Sequence, residues 1–439
     1  MISNRIARWR LIVEDYLRFH PLVRSTVARL IDIREPAAPD RPATELARSI
    51  DRLGRAARLT PSHRHRRRLE LRMKNLTLKL ERDAIEWDGV AEDIELPVIR
   101  KGIILKAPVD DGERGVLLIA FEQHWMRLFR YADIEKLAKD YHLIVAPTWS
   151  PPHDLPIMLA SRFWPNGIIH LLSNLDDERV FGRLLGNNTA VPLLSSSWVH
   201  PELFNTEEPV TKIFDIVMLA NFAGYKRHFA FFRLLRKLPP TTQVLLLGRR
   251  LRERTEETIM YEAALAGVAD RITIRQNLPD RDMVRALRSA KVHVIYSKNE
   301  GSCVAVAESM FADVPVALLK GANIGSRAWI NEHTGRFLSD RHAARELAKM
   351  IEEYQTFSPR KWALAQGIDC HGSTAKLNES LKRFVKERGE RWTVDIVPHT
   401  WRPNPSYLRS ADVARLGPLV ERFEQDYGVQ LQLNRIQAE

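Results

Sequence analysis

Between residues 210 and 355, short apolar runs alternate with stretches of helical periodicity, and that alternation leaves few folds open. FDIVMLA (214–220), QVLLLG (243–248), ITI (272–274), VHVIYS (292–297) and VPVALL (314–319) read as strands. Helices are predicted between them at about 226–238, 254–266, 280–290 and 302–312, with Pro239-Pro240 stopping the first. Thr334-Gly335-Arg336-Phe337-Leu338 reads as a last short strand before a helix at 342–354. Runs that are apolar without polar alternation fit strands covered on both faces, as in a parallel sheet built from βαβ units. A looser alternation precedes it. GVLLIAF (115–121), HLIVAP (142–147), GIIHLL (167–172) and VPLLSS (191–196) read as its strands, with a helix near 124–139. The expected fold is α/β, with two Rossmann-like, doubly wound domains facing a cleft. Ligands in such sheets bind beyond the carboxyl ends of the strands.

The remaining segments flank this pair. Residues 1–94 read as a basic helical N-terminal extension, with helices over 1–33 and about 43–83 separated by the Pro-rich linker REPAAPDRP (34–42). The domains proper are expected at 95–209 and 210–357, joined near the polar PELFNTEEPV (201–210). Residues 358–439 are expected to wrap the two-domain body, ending in a helix at about 409–427. The formal charge of +12 is concentrated at one end: residues 1–82 hold 20 Lys/Arg against 9 Asp/Glu, so the rest is near neutral. This localises an anionic partner to the arm, with an anionic membrane surface as the candidate. No nucleic-acid motif accompanies the charge, and nucleic acid is not expected.

Other classes are disfavoured by what the chain lacks. No apolar run approaches the ~20 residues of a membrane span, and no signal-peptide pattern opens the chain, so residence is expected to be cytoplasmic, peripheral on the inner face of the membrane. There is no P-loop, no G-x-G-x-x-G and no G-x-S-x-G. Cys303 and Cys370 form neither a disulfide framework nor a metal-site spacing, and Asp176-Asp177 lacks companion ligands.

The chemistry is concentrated in KNEGSCVAVAESMFADVPVALL. Glu300 follows a strand and sits beside Gly301, where a helix should begin; Glu308 lies within that helix among apolar residues. A carboxylate in apolar surroundings is costly unless hydrogen-bonded. Two of them at a strand-to-helix switch suit a polyhydroxylated ligand, held next to a helix N-terminus able to take a phosphate.

Glu300-Gly301, Glu308-Ser309-Met310, Asp313-Val314-Pro315-Val316 and Thr334-Gly335 together resemble the E-x7-E motif and downstream landmarks of the GT-B glycosyltransferases, in particular the retaining family 4 (glycosyltransferase group 1). The resemblance covers 210–355 well and 95–209 loosely. It implies that Glu308 binds the ribose hydroxyls and Glu300 faces the donor sugar. Backbone N–H groups of Gly301, Ser302, Cys303 and Val304 would cradle the diphosphate of a nucleoside diphosphate sugar. Lys226, which follows the loop NFAGY, would neutralise the leaving diphosphate. The family usually places an arginine five residues before this lysine; here the position is Asn221, with Arg227 or Arg249 as candidate substitutes. Members often carry a Gly-rich loop after their first strand, whereas here GVLLIAF runs into Glu122-Gln123-His124-Trp125. His124 and His153 are the candidates for a histidine near the donor sugar.

The implied activity is retaining transfer of a hexosyl group to an acceptor hydroxyl, on a sugar or lipid-linked acceptor, in glycan or glycolipid synthesis, with no cofactor and no metal. The alternatives are an inactive sugar-nucleotide scaffold docked through the basic N-terminus, and a nucleotide-sugar epimerase of the same fold.

Overall fold

The computed structural model describes residues 2–35, 41–109, 112–147, 152–184, 186, 188–204, 209–401 and 404–432. The core of the Pro-rich linker (36–40) and part of the joint at 201–210 (205–208) lie outside the described residues. The chain forms two compact units: Met1–His20 with Val199–Asp369, and Pro21–Trp198 with Cys370–Glu439. The N-terminal extension is therefore divided between them instead of forming a segment of its own.

That extension holds four helices, α1 (Ile2–Phe19), α2 (Pro21–Arg34), α3 (Ala43–Leu59) and α4 (His63–Thr77). Each of the two helices expected from periodicity is cut by a proline. Pro21 starts α2, since a proline at the first helical position loses no hydrogen bond. Pro61 precedes Ser62, whose hydroxyl caps α4 by accepting from the His65 N–H at 3.3 Å. Helix α3 buries Leu46, Ile50, Leu53 and Ala57, and Gly54 lets it close on the backbone beside His153, where a Cβ would lie 2.1 Å from the carbonyl oxygen.

The unit of Pro21–Trp198 and Cys370–Glu439 carries a short strand β1 (Val98–Ile99) and a five-stranded sheet. Its strands are β2 (Gly102–Lys106), β3 (Gly115–Ala120), β4 (Tyr141–Ala146), β5 (Ile168–Leu172) and β6 (Asn188–Leu194), in the order β2-β3-β4-β5-β6. Pairing is parallel except for β2 against β3. Every residue of β2–β5 is buried, which explains a largely apolar character interrupted only by Lys106, His142 and His170. Between the strands run α5 (Glu122–Tyr131), α6 (Ile134–Asp140), α7 (Leu155–Phe163) and α8 (Glu178–Leu184). The helix expected over 124–139 is two helices, because Asp133 caps the second one through the Lys136 N–H at 3.0 Å.

The other unit contains a six-stranded, wholly parallel sheet: β7 (Phe214–Leu219), β8 (Val244–Gly248), β9 (Ile272–Gln276), β10 (Ala290–Ile295), β11 (Val316–Leu319) and β12 (Gly335–Leu338). Its order is β12-β11-β10-β7-β8-β9, so the direction of strand addition reverses between β7 and β10. This is the doubly wound order with its switch point at that pair. Helices α9 (His228–Leu235), α10 (Glu256–Ala266), α11 (Asp280–Arg288), α12 (Val304–Phe311), α13 (Ala343–Glu352) and α14 (Pro359–Ala365) complete it.

The chain then returns to the five-stranded unit with α15 (Cys370–Lys386), the hairpin of β13 (His399–Trp401) and β14 (Pro405–Tyr407), α16 (Ser410–Tyr427) and β15 (Gln430–Leu431), which pairs with β1. Tyr407 donates its hydroxyl to the Ile104 carbonyl at 2.8 Å, and Tyr427 packs edge-on against Tyr141. The C-terminal segment is thus core material of the five-stranded unit.

Candidate functional site

In the six-stranded unit, β7 and β10 pair in parallel as far as His293 opposite Val217. Beyond that point the Leu219 N–H donates to His293 Nε2 at 3.2 Å. An imidazole fills the place of a ladder carbonyl, so the two strands part at their carboxyl ends. An accepting Nε2 requires a neutral ring, and burial pushes the His293 pKa down to about 3. The loops 220–227 and 296–303 leave the two strand ends here, at the place where a doubly wound sheet takes its ligand.

These loops carry an ion pair. Lys226 closes the single 3-10 turn Gly224–Lys226, and its Nζ donates to Glu300 Oε2 at 2.6 Å. Both side chains are about nine-tenths buried. Burial opposes the charge on Lys226, but the Glu300 carboxylate more than offsets it and the ammonium pKa is raised. The other carboxylate oxygen, Glu300 Oε1, is buried without a hydrogen-bond partner among the described residues, as is Ser297 Oγ three residues earlier. An ammonium has three donors and this one gives a single bond to Glu300, so the pair retains capacity for anionic and hydroxyl groups.

A second frame holds the 296–303 loop. Glu300 N–H donates to the Asn323 carbonyl at 3.1 Å and Asn323 N–H to Lys298 at 2.8 Å. Gly325 N–H donates to Gly301 at 2.8 Å. These bonds use the carbonyls of Lys298 and Gly301. Cys303 then adopts a left-handed backbone (φ +56°) and α12 begins at Val304, later than the sequence suggests. The Cys303 thiol is buried, and burial followed by the adjacent Glu300 charge raises its pKa, so it is a packed neutral group. Ser302 is buried in the same turn, Val304 is half exposed at the helix start, and Glu308 is buried at the fifth residue of α12.

The remaining candidates separate. Asn221 shapes its loop by accepting from the Ala223 N–H at 3.4 Å. Arg249 is exposed after β8, its carbonyl receiving the Phe222 N–H at 3.0 Å. Arg227 is not available as a substitute cation. Its Nε and Nη2 donate to the two carboxylate oxygens of Asp15, on α1, at 2.7 and 2.8 Å, and its Nη1 donates to the Tyr296 carbonyl at 3.2 Å. The rings of Phe19 and Tyr296 each lie 5.3 Å from its guanidinium carbon. Arg227, with φ +61°, is an interior fastening between α1 and the Lys226 turn.

Both histidine candidates lie in the five-stranded unit. His153 Nε2 is 2.8 Å from Glu70 on α4, and burial, outweighing that carboxylate, lowers its pKa. Its ring is thus paired with a carboxylate of α4 within the five-stranded unit. His124 sits in the first turn of α5, its Nδ1 accepting from Arg127 Nη1 at 2.9 Å; burial and then the Arg127 charge push its pKa down to about 4. The glycine-free loop before it turns at Phe121, with φ +66° and ψ 130°, a sparsely populated conformation that costs a non-glycine residue on the order of 1–3 kcal/mol. Sequence reasoning missed Ser297, Asn323 and Asp15. Ser297 carried a usable signal as a hydroxyl ending an apolar strand, whereas Asp15 carried none, since its partner lies 212 residues away.

Residues 200–359 match the family model described as "Glycosyl transferases group 1". No curated protein matches the chain. Among solved structures, a sucrose-phosphate synthase from Thermosynechococcus elongatus is 14% identical with a TM-score of 0.50, the match covering 62% of this chain and 74% of that one. Anabaena HepE, in complex with UDP, is 14% identical with a TM-score of 0.49, covering 61% and 78%. Staphylococcus aureus TarM is 10% identical at 0.47, covering 61% and 55%. At 14% identity the likeness to the sucrose-phosphate synthase is one of fold alone: α/β units with largely parallel sheets, as in GT-B glycosyltransferases.

Proposed function

We propose that the protein moves a hexosyl group from a nucleoside diphosphate sugar to an acceptor hydroxyl with retention, a reading supported by the match of residues 200–359 to the family model for glycosyl transferases group 1. The observation that carries this reading is the buried Lys226–Glu300 pair at the β7/β10 switch point. Lys226 meets the diphosphate, where its charge gains most as the bond to the sugar breaks. Glu300 takes donor-sugar hydroxyls through the oxygen that has no hydrogen-bond partner among the described residues. Glu308 accepts from the ribose diol, and the amides from Gly301 to Val304 cradle the phosphates. In the step itself the anomeric carbon–diphosphate bond breaks and the acceptor oxygen bonds to the same face. The acceptor proton passes to the departing phosphate oxygen. No protein nucleophile is required, and the side chains contribute positioning and charge stabilisation.

The acceptor is a sugar or lipid-linked sugar in glycan or glycolipid synthesis, with the basic residues 1–82 meeting an anionic membrane surface from the cytoplasmic side. No described helix is long and apolar enough to cross a membrane. A catalytically silent sugar-nucleotide module is the second reading, favoured by Asn221 and by the commitment of Arg227 to Asp15.

Titration with a panel of nucleoside diphosphates, followed by incubation with mixed nucleotide sugars and detection of the free diphosphate, tests both. Glu308→Ala is expected to weaken nucleotide binding about 10- to 100-fold, and Glu300→Ala to lower turnover with affinity nearly kept. Binding without release of diphosphate selects the silent module; no binding removes both.

A further inference from the structure

Helix α1 has two faces with different fates. Ala7, Arg8, Leu11, Ile12, Asp15 and Phe19 are half-buried, and α9 and α10 are its neighbours in the six-stranded unit. The bidentate Asp15–Arg227 pair fastens this face. On the opposite face Ile6, Trp9, Val13, Tyr16 and Leu17 are 64%, 66%, 46%, 54% and 50% exposed. At about 100° per residue these five fall in a sector roughly 100° wide, with Arg5 and Arg10 about 20° beyond its two edges. Glu14, the acidic group nearest the stripe, is paired with Arg10 at 3.4 Å. A soluble surface rarely leaves five large apolar side chains contiguous without a partner for them.

We propose that this stripe of α1 is an in-plane membrane helix, which enters the interfacial region of an anionic bilayer while Arg5 and Arg10 bind the lipid phosphates along its margins. This rests on the reading of residues 1–82 as a membrane-contact region, and specifies which side chains enter lipid. An apolar face with Trp and Tyr, bordered by arginines on both sides, suits the headgroup boundary, where aromatic rings and basic side chains each keep a polar end in water. A second copy is a poorer occupant, because a two-fold contact through the stripe sets Arg5 and Arg10 near their own counterparts. The following helix repeats the composition: Leu22, Val27, Leu30 and Ile33 of α2 are exposed, with Arg29 and Arg34 also at the surface. Because Asp15 ties α1 to the residue after Lys226, the stripe is displayed from the nucleotide-sugar unit itself.

Co-sedimentation of the full chain with vesicles of phosphatidylcholine, with and without phosphatidylglycerol, tests this. The parent protein is expected to bind only the anionic vesicles, and Trp9→Glu/Val13→Glu to lose about tenfold or more of that affinity. Both sites are exposed, so an unchanged nucleotide affinity controls for folding. Brominated lipid should quench fluorescence in the parent and less so in Trp9→Phe. Undiminished vesicle binding by the double variant overturns the stripe while leaving the basic-arm reading in place. Failure of the parent to bind anionic vesicles overturns both. A dimer in solution that the double variant abolishes assigns the stripe to a second copy and overturns the lipid proposal.

Discussion

The carboxyl ends of the two sheets differ in what they hold. In the six-stranded unit the switch point carries a buried Lys226–Glu300 pair with a carboxylate oxygen that has no hydrogen-bond partner among the described residues, framed by strands that His293 parts. In the five-stranded unit the corresponding turn after β3 is filled by Phe121 and a neutral His124 held by Arg127. One edge stores charge and the other stores bulk. The same α/β construction thus supplies one strand edge with a buried ion pair and another closed by an aromatic ring and a neutral imidazole.

Removing the stored charge is the most forceful way to break this contrast. Lys226→Ala leaves Glu300 buried and unpaired, which is expected to cost about 3–5 kcal/mol of stability and to lower transfer about 100-fold or more. A variant with parental thermal unfolding and turnover would take the pair out of the site.

Acid should divide the units in the opposite direction. The five-stranded unit buries His124, His142, His170 and His399, whose pKa values are pushed down to about 4, 3, 3 and 3, chiefly by burial. The other unit has His228 and His293, both at about 3. A histidine depressed in the native state binds its proton first in the unfolded chain, so stability falls as pH drops below about 6.5. Glu35 and Glu113 add to this. Burial opposes their charge, but Arg52 and Lys106 among their partners more than offset it, and both sit at about 2. Their contribution is present above the unfolded value near 4.5 and is lost on acidification below it. Hydrogen-exchange mass spectrometry between about pH 7 and 4 should show the five-stranded unit losing protection first; the reverse order would contradict the assignment.

The mildest test concerns α1. Asp15→Asn halves a bidentate pair and is expected to cost about 1–3 kcal/mol. The loosening should be confined to α1 and residues 220–228. Equal exchange protection there in variant and parent would mean the fastening is dispensable, and Asp15→Arg/Arg227→Asp should restore it if charge is what matters.

How much of this was legible depended on distance along the chain. The strands β7, β8, β10 and β11 were readable because burial on both faces makes them largely continuous apolar runs, whereas β9 at the sheet edge is only partly buried and shows as the short ITI. Glu300 and Lys226 were identifiable from their places after strands, and Glu308 from its place among apolar residues in the helix that follows. The 2.6 Å contact between Lys226 and Glu300 was not, since 74 residues separate them. His153 and Arg227 show the complementary error: each lies in the right kind of loop, yet each is taken by a partner on an N-terminal helix that local pattern cannot place. The late start of α12 follows from the left-handed Cys303, a conformation that residue type does not announce.

The sequence by itself determined the layered α/β plan, the polarity of the candidate site and the basic arm, because periodicity and residue type act over one or two turns of chain. Only the tertiary structure decided which carboxylate meets which cation, that α1 belongs to the six-stranded unit, and which side of α1 is left uncovered. Those outcomes depend on burial, and a side chain's burial is fixed by everything that packs around it.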